Sequence, residues 1–309
     1  MSFRNLVFLG LTLSAFARAQ NLLIADDDGW ATAQIRAQYA SLTDAGYNVV
    51  LSCPALNQSG KGSSSQTPTP MTEPCEFNTC PIGSPAEGYN ASDPQLNYVN
   101  GHPVDAAQYG VEELAPKFFG GSAPDFVVSG PNIGTNLNII TQFSGTIGAA
   151  SAAAKLGVPA GAFSGTSGSE VSYTTLSSDP NATSTLAARL YSSLTTHFVQ
   201  TLLAASPDLQ PTSILPNDTI VNVNYPAIDG CADVSDYKWV LARNLWNPFA
   251  TDVETCGSTR LPDEVSVVNK DGCYASVSLL SASTKTDVGS DLQAEVLAKL
   301  QGLPLSCLP

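Results

Sequence analysis

Three aspartates stand directly behind an apolar run: Asn21 to Ile24 leads through Ala25 into Asp26-Asp27-Asp28-Gly29. Adjacent like charges repel, so concentrating them there points to a cation that neutralises them. The plain alternative is a helix N-cap with extra acids in the first turn, which a helix dipole favours. Three further polar segments recur in comparable places: Asn57-Gln58-Ser59-Gly60, Ser129-Gly130-Pro131-Asn132-Ile133-Gly134-Thr135-Asn136, and Ser144-Gly145-Thr146. At a helix start, the last of these would present hydroxyls and unpaired backbone N–H groups, a ready anion site whose small residues let a phosphate approach.

The elements that must position these residues follow from the hydrophobic pattern. Short apolar runs alternate with longer stretches of helical period, the pattern of a parallel sheet with helices on both faces. Strands are expected at Asn21 to Ile24, Asn48 to Cys53, Leu96 to Val99, Phe126 to Val128, Ala160 to Phe163 and Thr219 to Val223. Helices are expected over Trp30 to Ala45, Pro103 to Leu114, Ser144 to Leu156 and Thr183 to Ala205. The last carries Leu186, Leu190, Leu194, Phe198 and Leu202 as its buried stripe. Gly60 to Asp93 reads as a long irregular loop, of the kind that is functional or mobile. Beyond Pro226 the texture changes to hairpin-like segments, Lys238 to Arg243 and Val265 to Leu280, and a closing amphipathic helix from Asp291 to Leu300. In open parallel sheets, ligands bind beyond the carboxyl ends of the strands. All four polar segments fall at that edge.

The rest of the 309-residue chain bounds the setting. With 27 Asp plus Glu against 13 Lys plus Arg, the net charge is −14, which argues against a grip on a nucleic-acid backbone. Arg4, the apolar stretch Leu6 to Phe16 and Ala17-Arg18-Ala19 form a secretory leader, so residues 1–19 are expected to be cleaved. No later run reaches the roughly 18 apolar residues of a membrane span. A secreted, extracellular destination makes the seven cysteines a disulfide framework with one thiol left over. Cys53, ending an apolar run, is expected to be the free one. Proximity suggests Cys75 with Cys80 and Cys256 with Cys273, leaving Cys231 for Cys307. Sequons begin at Asn57, Asn90, Asn181 and Asn217, the last three expected to carry glycan.

Taken in this order, the motifs resemble the SurE family of metal-dependent phosphatases and nucleotidases, especially its secreted eukaryotic branch. The family's Asn-Asp-Asp-Gly appears as Asp26 to Gly29, its Arg-Ser-Gly as Gln58-Ser59-Gly60, and its Ser-Gly-x-Asn-x-Gly-x-Asn as Ser129 to Asn136. Phe143 to Thr146, Gly101 to Asp105 and Asn222 to Pro226 add to the likeness. The resemblance implies an α/β fold, a Rossmann-like three-layer α/β/α core with a mostly parallel sheet (20–226), plus a C-terminal hairpin and helix extension (227–309) commonly exchanged between subunits. It favours a homodimer, whereas Cys231, Cys256, Cys273 and Cys307 would staple the tail to its own subunit.

Carried over residue by residue, the metal ligands fall on Asp27, Asp28, Ser59 and Asn132, and the phosphate contacts on Asn136, Ser144, Gly145 and Thr146. Carboxylate, hydroxyl and amide oxygens are hard donors that suit one divalent cation per subunit, Mg²⁺, Mn²⁺ or Ca²⁺. The implied function is hydrolysis of a small phosphomonoester, such as a nucleoside monophosphate, by a metal-activated water. His102 stands where the family motif usually has Thr, between a strand end and a helix start, and is a candidate to reach the leaving oxygen. His197, on the long helix, reads as structural. Two rivals remain open: a silent binding module on the same fold, and a haloacid-dehalogenase-like phosphatase with Asp26 as nucleophile and Asp28 as acid/base.

Overall fold

The structure, a computed structural model, describes residues 19–309. Apart from Ala19, the expected leader lies outside them. Strands β1 (Asn21–Ala25), β2 (Asn48–Pro54), β3 (Glu87–Asn90), β4 (Asp93–Val99), β5 (Phe126–Ile133), β6 (Ala160–Gly165), β7 (Thr219–Tyr225), β8 (Lys238–Leu241) and β9 (Tyr274–Ser281) form one nine-stranded sheet ordered β3-β4-β2-β1-β5-β6-β7-β9-β8. From β4 to β7 every pairing is parallel. The helices are α1 (Ala33–Asp44), α2 (Pro103–Tyr109), α3 (Ala115–Phe118), α4 (Gly145–Lys155), α5 (Thr175–Ser178), α6 (Thr183–Ala204), α7 (Pro211–Ile214), α8 (Glu264–Val268) and α9 (Ser290–Lys299).

Alternation along each strand sends side chains to two separate cores. On β1, Leu22 and Ile24 join Ile35 of α1 and Leu194 and Phe198 of α6 on one face. Leu23 and Ala25 join Ala107 of α2 and Ile147 and Ala150 of α4 on the other. These are the three expected layers.

Four local expectations are corrected. Leu186 is exposed rather than buried, because a stripe of every fourth residue drifts about 40° per step around a helix of 3.6 residues per turn. The buried face of α6 instead runs through Ala187, Tyr191, Leu194, Phe198 and Leu202. The Gly60 to Asp93 region is only partly irregular: Cys75–Cys80 closes a short turn, and β3 pairs antiparallel with β4. Being a four-residue edge strand, β3 has no apolar alternation to announce it.

In the C-terminal extension, β9 lies antiparallel to β7, but β8 and β9 pair in parallel instead of forming a hairpin. Parallel neighbours need a long crossover, which residues 242–273 supply, α8 included. The same topology overturns two expected disulfides. Cys231 pairs with Cys273 and Cys256 with Cys307, while Cys75–Cys80 and the buried free Cys53 are as expected.

Candidate active site

Directly after β1, Asp26, Asp27 and Asp28 are all buried. Beyond them Gly29 turns the chain with φ +100°, and a Cβ there would lie 2.3 Å from Glu76 Oε2, so only glycine fits. The three carboxyl groups have different surroundings. Asp27 faces the start of α4, where Thr146 Oγ1 donates to its Oδ1 at 2.6 Å and the Gly145 N–H also reaches it. Asp28 Oδ2 accepts the Ile133 N–H at 2.5 Å. Beyond its contact with Asp27, neither carboxyl oxygen of Asp26 has a hydrogen-bond partner among the described residues.

Burial, then the charges of Asp28 and Asp27, hold Asp26 well above the usual carboxylate range. It stands where the resembled motif has asparagine. Asp28 is also raised well above its ordinary value by burial and then by Asp27, against the Ile133 bond. Burial raises Asp27 as well, opposed by the bonds from Thr146, Asp26 and Gly145. Removing three carboxyls from water is costly unless charge is compensated, and a divalent cation beside Asp27 and Asp28 would offset that cost.

The neighbouring segments reach the same place by different devices. Gly130 (φ +107°) passes so close to Phe163 that a Cβ would meet its carbonyl oxygen at 2.2 Å, and the β5–β6 register shifts between Ser129 and Asn132. Such a bulge re-aims side chains at a strand end. Asn132 spends its amide N–H on Gly134 O (2.6 Å), leaving Oδ1 without a hydrogen bond among the described residues. The Gln58 N–H binds the carbonyl of Asp27 at 2.8 Å, bringing the exposed Ser59 to the same edge. Ser59 N in turn binds Asn57 Oδ1, and Asn57 Nδ2 binds Glu170. Among the described residues, no group of three or more His, Cys, Asp or Glu could hold a metal. A cation here would rest on two carboxylates completed by the neutral oxygens of Asn132 and Ser59.

The expected phosphate residues take two forms. Ser144 caps α4, its Oγ accepting from Ile147 N, and Gly145 lies so close to Asp27 that a Cβ would sit 2.6 Å from Asp27 Cβ. Thr146 and Asn136 are committed inward: Asn136 Nδ2 donates to Thr146 Oγ1 and Ser164 Oγ, and its backbone binds Asn222 and Asn224. They form a chain that fixes Asp27. Behind it, Glu264 Oε1 accepts from Asn222 and Ser278, and burial pushes Glu264 up to about 8.

His102 is half-buried at the start of α2, with no hydrogen-bond partner at Nδ1 among the described residues. The next residue, Pro103, packs on Gly145, the glycine that Asp27 touches. Asp105 bonds the His102 N–H, Ser65 Oγ and Gln66 N, tying the Gly60 loop over this edge. His197 is half-buried midway along α6. Sequence reasoning missed Glu76, whose carboxyl abuts Gly29. Burial, then Glu170 and Asp28, push it up to about 9. Only the fold places it there, since nothing near Cys75 signals proximity to Asp28.

A sequence model of the family described as Survival protein SurE matches residues 22–246. An acid phosphatase of Yarrowia lipolytica is 34% identical over 310 aligned positions, covering 91% of this chain and 84% of that protein. A 5'-nucleotidase SurE of Lawsonia intracellularis is 30% identical over 144 positions, covering 47% of this chain and 50% of its own. The crystal structure of the SurE protein from Aquifex aeolicus aligns with a TM-score of 0.57 at 22% identity, over 85% of this chain and 93% of that one, a likeness of fold.

Proposed function

The chain belongs to the SurE family, and on that premise we propose that it is a secreted phosphomonoesterase that works with one divalent cation. The observation that carries this reading is the seating of Asp27 and Asp28 at the carboxyl edge of the sheet, opposite the first turn of α4. Asp27, Asp28, Ser59 and Asn132 would hold the cation, whose hard oxygen donors suit Mg²⁺, Mn²⁺ or Ca²⁺. When bound, such an ion supplies a Lewis acid for phosphoryl oxygens and for water.

The chain's own groups do the rest. The start of α4 at Ser144, Gly145 and Thr146 favours negative charge through its dipole and its peptide N–H groups. Thr146 and Asn136 hold Asp27 in place. His102 is the group at the rim able to give a proton to the leaving oxygen. Small phosphomonoesters, nucleoside monophosphates among them, are the substrate class. Exposed Asn181 and Asn217 are the glycan sites of a secreted protein, and Asn90 a third.

The phosphoaspartyl alternative is disfavoured by Asp26 itself, the most deeply buried of the three aspartates. Hydrolysis of p-nitrophenyl phosphate and a panel of nucleotides, before and after chelation, tests the reading. Turnover that chelation abolishes and a divalent cation restores is expected. No turnover would favour a silent binding module.

A further inference from the structure

Arg36, on the second turn of α1, is 8% exposed, yet it forms no ion pair among the described residues. Its Nε donates to Trp30 O at 2.7 Å, while its two Nη groups make no hydrogen bond there. The guanidinium lies over two rings, its Cζ 5.1 Å from the Trp30 centroid and 4.7 Å from that of Tyr173. Asp93, whose charge reaches it, is already engaged by the Tyr39 hydroxyl at 2.9 Å. A buried cation without a counter-charge is costly, and cation–π contact offsets only part of that cost. With Nε spent on Trp30 O, the part without a partner among the described residues is the pair of Nη groups, a fork that binds oxyanions in bidentate fashion.

Arg36 lines a cavity of about 500 Å³ walled by Trp30, Tyr98, Tyr173, Thr79 and Glu87 under the β3–β4 hairpin. Three of those walls are aromatic. We propose that this cavity is a binding site for a small planar aromatic carboxylate, its carboxylate on the Arg36 fork and its ring among Trp30, Tyr98 and Tyr173. The charge argument selects a carboxylate over a phosphate. Among the described residues Arg36 is the only cation lining the cavity and Glu87 lines it too, so a monoanion is matched and a dianion repelled. The site uses none of the side chains assigned to phosphate hydrolysis, and its occupancy is measurable whether or not the chain turns over phosphomonoesters.

The test is calorimetric titration of the full chain with benzoate, cyclohexanecarboxylate and benzamide. Saturable binding of benzoate is expected, with cyclohexanecarboxylate weaker for want of a planar ring and benzamide weaker for want of charge. Arg36→Lys keeps the charge but loses the fork and should weaken benzoate about tenfold or more. Ser84→Trp, which fills the cavity from its half-buried rim, should abolish binding while leaving the melting temperature near wild type. It reads the site even if Arg36→Lys fails to fold. Absence of benzoate binding, benzamide binding as tight as benzoate, or unchanged binding in Ser84→Trp would overturn the proposal.

Discussion

Thr146 and Asp27 lie 119 residues apart in sequence and are joined by a 2.6 Å hydrogen bond from the threonine hydroxyl to the carboxylate. Asn136 Nδ2 in turn donates to that hydroxyl, which orients its proton toward Asp27. A buried bond to a charged group contributes roughly 1.5 to 3 kcal/mol. Thr146→Val should therefore lower kcat/KM by about tenfold to a hundredfold and weaken cation binding, while Thr146→Ser restores most of both. Equal kinetics and equal metal titration in the valine variant would show that Asp27 needs no such support.

Asp27→Asn and Asp28→Asn each remove a charge from the proposed cation site. A loss of ~3 to 4 kcal/mol of transition-state stabilisation corresponds to roughly 10² to 10³ in rate. Both should show it with the fold intact by circular dichroism. Asp26→Asn should stay near wild type, because Asp26 is fully buried and lies outside the proposed ligand set. The assignment is falsified if Asp26→Asn abolishes turnover while Asp27→Asn spares it.

Two buried glutamates set a pH dependence of stability. Burial pushes Glu76 from an ordinary 4.5 up to about 9 and Glu264 from 4.5 up to about 8. The folded state thus binds their protons more tightly than the unfolded chain does, so stability is fullest below pH ~4.5 and is lost as pH rises through 8 to 9. Melting temperature after chelation should fall across that window. Glu76→Gln should flatten part of the slope, and an unchanged slope would mean that Glu76 ionises freely.

Peptide mapping under non-reducing conditions should recover Cys231–Cys273 and Cys256–Cys307 as linked pairs and Cys53 as a free thiol that labels only after unfolding. Secreted protein should begin near Gln20. Asn57 should carry no glycan, because its amide is held by Glu170 and its side-chain oxygen by Ser59 N. Full occupancy of Asn57 in active material would place that loop elsewhere.

Burial imprints a local period on β1, β2, β4, β5, β6 and β7 and on α1, α4 and α6, so the alternation of these strands and helices was legible from residue order alone. Residue order also placed each polar segment at a strand end or helix start, since both are local events: an apolar run stops, and small capping residues follow. Asp26 to Asp28 were readable as a candidate site for the same reason. What only the tertiary structure decided depends on pairings between distant segments. Proximity in sequence favoured Cys256 with Cys273, yet parallel β8 and β9 bring the residues before their two starts together, so Cys273 meets Cys231 instead. Whether a carboxyl is charged was equally illegible. Asp26, Asp27 and Asp28 are identical letters in a row, and they differ because Thr146 and Gly145 reach one, Ile133 reaches another and the third meets only its neighbour Asp27. Glu76 and Arg36 owe their roles to the same cause, for desolvation is a property of the packed neighbourhood and leaves no mark on the local sequence.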